Sequence, residues 1–281
     1  GSPRPGELVE ITGASNTGKS LLLLELATSL ILPVTCGGSE RKVLLLDCES
    51  TFDESIMLAL MEKGILNNAI PALARTLDTQ QIERIQREAL ERLFVFPCYS
   101  REMLSVGWHY LDVELFPNYA AIEYVLLDSI FTFSCHKPTG RHVMDIRQYL
   151  RSCYRTYRRR AKMWRKVVIY TKPAYSPDVQ EFDPDGSPTP EDILAERAAR
   201  KRCRRKHAKN LNFPVRYRIE LSLTNPPPIA ENDEEDVDDD DDRRYTALIT
   251  NRRYRRYRRQ RLKRLFYLID DFGFNWIEQQ E

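Results

Sequence analysis

The chain opens on an alternating, β-rich run, Glu7-Leu-Val-Glu-Ile-Thr12, and passes through a glycine-containing loop into Leu21–Leu32, apolar on almost every side. That pattern predicts a strand followed by a buried helix. Val43-Leu-Leu-Leu-Asp47 is a short continuous apolar run, as expected of a strand covered on both faces. Thr79–Arg92 sets Ile82, Ile85 and Ala89, and Leu93 after them, at helical spacing. Phe94–Phe96, Tyr124–Asp128 and Val167–Tyr170 predict three more strands, with helices at about Met103–Leu115 and Met144–Trp164 between them. Strand alternating with helix over roughly the first 170 residues implies a doubly wound α/β sheet.

The character changes at Lys172. Pro173–Asn210 is rich in Pro and Asp, then in Arg and Lys, and predicts a long excursion with one charged helix at Pro190–Arg205. Val215–Leu223 alternates as a half-exposed strand should. The Pro226–Pro228 run and the acidic tract after it predict a second loop. Tyr245–Thr250, Phe266–Ile269 and Phe272–Trp276 read as strands ending in a hairpin. With no helices between them, they predict an antiparallel extension of the same sheet. The expectation is therefore a single domain over residues 1–281, its sheet mostly parallel with antiparallel C-terminal strands, and flexible excursions at 173–210 and 226–243.

Composition bounds the function. With 42% hydrophobic residues, the 281-residue chain can bury a sizeable core, which excludes a wholly disordered protein. The longest apolar run, Leu21–Leu32, falls short of the roughly 20 residues a bilayer-spanning helix needs, so no membrane partner is expected. No signal peptide is visible, and Gly1-Ser2 in place of Met reads as a trimmed start. The six cysteines form no CxxC pair, and they read as reduced thiols without a structural metal. The net charge of +2 hides a segregation: Glu231–Asp242 holds ten acidic groups, leaving 43 basic against 31 acidic residues elsewhere.

Gly13, Ala14, Ser15, Asn16, Thr17, Gly18, Lys19 and Ser20 make a complete GxxxxGK[ST] loop between predicted strand and helix. Such a loop bends its backbone N–H groups around a β-phosphate at a helix N-terminus. Lys19 is expected to reach the β- and γ-phosphates, and the Ser20 hydroxyl to ligate Mg²⁺. Asp128 ends the apolar strand Tyr124-Val-Leu-Leu, where a P-loop protein holds its magnesium through water. Glu49 follows the strand ending at Asp47, and a carboxylate there can orient and deprotonate the attacking water. Surface glutamate at a helix start is the other reading of Glu49; Asp47 reads as structural.

Together these residues resemble the RecA-like recombinase core, and in several details a eukaryotic branch of recombinase paralogues. The details are Gly6-Glu7-Leu-Val-Glu10 before the loop, Ile31-Leu-Pro33 after its helix, Leu45-Leu-Asp47 with Phe52-Asp53, and the aromatic hairpin Phe266–Trp276. The resemblance implies a RecA-like P-loop fold, and ATP binding through Gly13, Gly18, Lys19, Ser20 and Asp128 with Glu49 as the water-activating carboxylate. It further implies homologous recombination repair in the nucleus and a heteromeric complex with other recombinase paralogues. Filament-forming members carry a polar amide after the strand at Val167–Thr171, whereas this sequence reads Thr171-Lys172-Pro173. An assembly subunit with weak or partner-dependent DNA-linked ATPase activity is the expectation.

Three basic tracts, Arg155–Lys166, Arg197–Lys209 and Arg252–Arg264, add single-stranded or branched DNA as a further partner. The third interleaves Tyr with Arg, a mix suited to single strands. Pairing with the acidic tract or with a partner protein stands beside that reading. Ala199–Lys206 also reads as a nuclear-localisation cluster. Two rival functions share the P-loop: a small-molecule or nucleotide kinase, and a pseudo-ATPase scaffold without turnover.

Overall fold

The computed structural model describes residues 2–130, 132–134, 146–174, 215–224, 244–252, 259–270 and 273–277. The chain runs β1 (Leu8–Gly13), α1 (Lys19–Ile31), β2 (Lys42–Asp47), α2 (Glu54–Asn68), α3 (Pro71–Ala74), α4 (Thr79–Leu90) and β3 (Leu93–Pro97). It continues through α5 (Arg101–Tyr110), a π-helical turn (Leu111–Leu115), α6 (Phe116–Asn118), β4 (Ile122–Asp128), α7 (Ile146–Trp164) and β5 (Val167–Pro173). The last strands are β6 (Tyr217–Leu223), β7 (Tyr245–Arg252), β8 (Arg259–Asp270) and β9 (Gly273–Ile277).

The nine strands among the described residues join one sheet in the order β3-β2-β4-β5-β1-β6-β7-β8-β9. The expected mixed α/β architecture, mostly parallel with antiparallel C-terminal strands, is borne out. One detail differs. The first C-terminal strand, β6, lies parallel to β1, and antiparallel pairing begins only with β7. The long stretch between β5 and β6 leaves ample chain for the crossover that parallel neighbours require.

Successive residues of the inner strands face opposite layers, so their unbroken apolar runs are used in full. Leu44, Leu46, Val125, Leu127 and Val168 pack beneath α5 and α7 with Trp108, Leu150 and Tyr157. Leu45, Leu126, Ile169, Val9 and Ile11 pack beneath α1 and α2 with Leu23, Ile31, Met61 and Ile65. Fully burying each of these side chains contributes about 1.5–3 kcal/mol. That burial on both faces fixes the strand ends that carry the polar residues.

Helix α2 has no counterpart in the sequence reading, although Met57, Leu60, Met61 and Ile65 form its buried stripe and Asp53 caps it through the Ser55 amide. Helix α4 stops at Leu90, and Leu93, taken as its last apolar position, opens β3 instead. Pro173 belongs to β5, paired with Gly13, not to the excursion predicted from that point. Residues 175–210 of that excursion with the charged helix at 190–205, the second loop, the acidic tract and residues 253–258 of the third basic tract lie outside the described residues. No helix among the described residues is long and apolar enough to cross a membrane.

Candidate nucleotide-binding site

The connection from β1 through α1 to β2 passes over β5 and β4, so the carboxyl ends of these four strands border one crevice. Ligands of open α/β sheets bind at such a reversal of strand order. All the predicted site residues stand on these ends or on the loop leaving β1.

Two glycines make the loop possible. Gly18, at the cap of α1, has φ +76°, a conformation that side chains with a Cβ seldom adopt. A Cβ on Gly13 would lie 2.8 Å from the Leu221 carbonyl oxygen and press on the Thr17 hydroxyl. Within the loop the Thr17 hydroxyl donates to the Ala14 carbonyl at 2.9 Å, and the Lys19 ammonium donates to the same oxygen at 2.7 Å. Ala14, Ser15 and Asn16 are exposed at the loop crest, while Thr17 is buried. The first turn of α1 carries no acidic side chain, so the positive end of its dipole faces the loop uncompensated.

The C-terminal strands hold this loop from outside. The Tyr267 hydroxyl on β8 donates to the Thr17 carbonyl at 3.0 Å. Ile269 and the ring of Phe274 close on Gly18 so tightly that a Cβ there would come within 2.7 and 2.8 Å of them. The sequence analysis gave these strands as an antiparallel extension of the sheet and did not foresee the contact. No motif signals it, because it arises from packing between segments some 250 residues apart.

Asp128 is buried at the end of β4. One carboxylate oxygen accepts from the Thr171 hydroxyl on β5, the other from the Thr51 hydroxyl at 3.2 Å. Asp47 accepts from the backbone amides of Thr51 and Phe52, both at 3.2 Å, and so ties down the turn after β2, in keeping with its structural reading. Glu49 stands exposed on that turn, and the Thr132 hydroxyl donates to it at 3.3 Å. Thr51, Thr132 and Thr171 were missed by the sequence reading: isolated threonines carry no signal of their own.

Lys19 joins the loop to these carboxylates. Burial lowers the pKa of its ammonium, while the fields of Glu49 and Asp128 oppose that shift. Both carboxylates therefore act on the loop's ammonium. Ser20, Asp47, Thr51 and Asp128, with Leu23, Leu24, Leu45 and Phe52 on the other side, line a cavity of about 10 Å³, close to the space of one water. The oxygen donors of this lining suit a hard cation such as Mg²⁺, and the uncompensated N-terminus of α1 behind the positive-φ Gly18 suits a phosphate. The residues present fit both groups.

At the end of β5, where filament-forming recombinases carry an amide, Lys172 turns away into a buried cluster. Its ammonium lies 3.3 Å from Glu10 on β1, and Glu10 also pairs with Arg218 on β6 and accepts from the Tyr170 hydroxyl at 2.8 Å. In β6, expected to be half-exposed, Arg218 stands at one of the polar positions of the alternation yet is buried, because Glu10 lies beside it.

No family model matches the chain. Sequence similarity nevertheless extends beyond the motifs. Within the recombinase paralogues the motif details resemble X-ray repair cross-complementing protein two, and the mouse (Mus musculus) DNA repair protein XRCC2 is 27% identical over 132 residues, 47% of this chain. The DNA repair protein RAD51 of Mycosarcoma maydis is 42% identical over 67 residues, or 24% of this chain. The DNA repair protein rhp51 of Schizosaccharomyces pombe is 34% identical over 95 residues, or 32% of it. The matched stretches span 42%, 20% and 26% of those proteins' own lengths. The resemblance to RecA-like recombinase paralogues is borne out, and the relatives are DNA repair proteins.

Proposed function

We propose that the chain binds ATP with Mg²⁺ at the Gly13–Ser20 loop and serves as a subunit of a homologous-recombination repair assembly in the nucleus, beside other recombinase paralogues. The observation that carries the nucleotide reading is the convergence of Lys19, Asp128 and Glu49 at neighbouring strand ends, with both carboxylates acting on the Lys19 ammonium. Similarity to three DNA repair proteins supports the biological setting.

On this reading the loop amides and the N-terminus of α1 surround the β-phosphate, and Lys19 gives up its bond to Ala14 for the β- and γ-oxygens. Bound Mg²⁺ would neutralise charge on those oxygens, held by the Ser20 hydroxyl and, through water, by Asp128. Thr51 and Thr171 hold the Asp128 carboxylate in one orientation by donating to it from two sides. Glu49 takes the proton from the attacking water, and Thr132 steers its carboxylate.

Turnover is slow or dependent on a partner. Lys172 is engaged by Glu10, so no side-chain amide answers the γ-phosphate at the end of β5. A cation supplied in trans can raise such a rate by about 10³–10⁵. The test is ATP titration with and without Mg²⁺ on wild type and Lys19→Ala, followed by hydrolysis assays of the chain alone and mixed with a candidate paralogue. Affinity that ignores both Mg²⁺ and Lys19 would refute the reading.

A further inference from the structure

Helix α7 carries seven basic side chains and no acidic one between Ile146 and Trp164. Tyr149, Leu150, Tyr154, Tyr157 and Ala161 form its buried face. The opposite face exposes Arg155, Arg158, Arg159 and Lys162, and Arg165 is exposed just beyond the helix end. The Gly6 amide donates to the Lys166 carbonyl at 2.9 Å, which brings the exposed Arg4 to the same end.

No acidic side chain among the described residues neutralises this stripe. Among the described residues, none of Arg155, Arg158, Arg159, Lys162 and Arg165 takes part in an ion pair. The nearby carboxylate, Asp112, is taken by Arg160 at 3.7 Å and by the Trp164 indole N–H at 2.5 Å. Arg155 with Arg159, and Arg158 with Lys162, sit at i,i+4, where like charges disfavour the helix. The dipole at the helix C-terminus offsets this for Lys162 but not for Arg155 in mid-helix. Helix α4 shows the ordinary arrangement, with Arg84 placed against Glu88. A cost carried along one exposed face calls for a polyanion to relieve it.

We infer that this face of α7 docks on the phosphate backbone of DNA. The inference rests on the DNA-repair reading and names a contact surface for it, on the sheet face opposite α1. Nucleic acid fits better than an acidic protein on two grounds. Arginine predominates, and its planar guanidinium pairs with phosphate in two-point fashion. The only large apolar side chain exposed along the described part of the helix is Met163, whereas protein interfaces centre on a cluster of apolar and aromatic anchors. From Arg155 to Lys162 the stripe covers about 10 Å of helix axis, at about 1.5 Å per residue. Contacts of this kind position a duplex or single strand without reading its bases.

The experiment measures binding of labelled single-stranded and duplex DNA against salt, for the full chain and for a variant carrying Arg155→Gln, Arg158→Gln, Arg159→Gln and Lys162→Gln. Each phosphate contact contributes about 0.7–0.9 to the slope of log affinity against log salt, so the variant's slope is expected to be shallower by about 3. ATP affinity should not change. If the fourfold variant fails to fold, Arg155→Gln and Arg158→Gln made singly should each flatten the slope by about 0.7–0.9. Superimposable salt curves for wild type and variants would overturn the inference. So would a wild type that binds ATP but no DNA, an outcome that leaves the nucleotide reading standing. Loss of binding to polyglutamate with DNA binding intact would reassign the face to an acidic protein and overturn it equally.

Discussion

The Lys172 ammonium lies 3.3 Å from a carboxylate oxygen of Glu10, both side chains buried between β1 and β5, and Arg218 from β6 closes on the other oxygen. One anion thus serves two buried cations at the centre of the sheet. Removing the shared member takes a close carboxylate from both buried cations at once, although Arg218 keeps Glu220 at 3.7 Å, and breaking a buried pair from one side costs about 3–5 kcal/mol. A domain holds only about 5–15 kcal/mol in all. Glu10→Ala is therefore expected to lower the denaturation midpoint steeply. Lys172→Met leaves Glu10 with Arg218 and Tyr170 and should cost clearly less. Urea unfolding of the two variants decides the matter, and equal losses would mean that Glu10 is not the hub.

Lys19→Ala separates binding from folding. The ammonium is partly desolvated in the free protein, so its removal should leave the melting temperature without nucleotide unchanged or slightly higher. The lost phosphate contact is charge-assisted and worth about 1.5–3 kcal/mol, or about tenfold or more in ATP affinity. Thermal shift with and without Mg-ATP reads both effects at once. A variant still stabilised by ATP as strongly as wild type would remove Lys19 from the site.

For Glu49→Gln the split should run the other way. Glu49 is exposed and, among the described residues, bonded only by Thr132 at 3.3 Å, so an amide there should preserve fold and ATP affinity. General-base assistance contributes about 10²–10⁴ in rate, and any partner-stimulated turnover should fall by that order. Single-turnover hydrolysis in the presence of a paralogue is the measurement. Undiminished turnover would return Glu49 to the surface reading.

How much of this was legible in the sequence follows from the physics of each feature. The parallel core announced itself, because a strand buried on both faces must be written as an unbroken apolar run such as Val43–Leu46. The P-loop was visible for a similar reason: Gly13 and Gly18 stand where no Cβ fits. The burial of Arg218 was not legible, because alternation reports which residues share a face but not what covers that face. Only the presence of Glu10 on the adjacent strand turns a polar position into a buried one. The grip of Tyr267 and Phe274 on the loop was invisible, since aromatic residues at a sheet end advertise packing without naming the partner.

Glu25 on α1 provides a pH test. Burial raises its pKa above the ordinary carboxylate value, opposed by Lys63 and by a hydrogen bond from Trp276, beside a cleft of about 530 Å³. A raised carboxylate favours the protonated form in the fold. Its contribution to stability is therefore complete below the unfolded pKa, and is lost as pH rises through the folded one. Glu25→Gln removes the ionisation and with it that loss. Its melting temperature should match wild type near pH 4 and exceed it near pH 7, because the unfolded carboxyl titrates at about 4.3. A gap that is widest in acid would contradict the burial effect.

Tyr267 connects the C-terminal strands to the Gly13–Ser20 loop. Its hydroxyl donates to the Thr17 carbonyl at 3.0 Å, while its ring stacks on Tyr245 with centroids 5.2 Å apart and meets Phe274 at 4.5 Å. Tyr267→Phe keeps the ring contacts and deletes the hydroxyl, leaving a buried carbonyl short of its partner at a cost of about 1–3 kcal/mol. Tyr267→Ala also empties the ring's volume and should cost about 3–5 kcal/mol, as large aromatic truncations do. The informative variant is the milder one. Since Thr17 lies inside the phosphate loop, freeing its carbonyl should loosen the loop before any nucleotide arrives, and binding must then spend free energy on ordering it. ATP affinity is expected to fall severalfold in Tyr267→Phe, with faster amide exchange confined to residues 14–18. Linkage requires the converse as well: ATP should slow exchange in β8 of the wild type, and less so in the variant. Unchanged affinity together with unchanged loop exchange would show that β8 merely abuts the loop, and that the nucleotide site is built by the parallel strands alone.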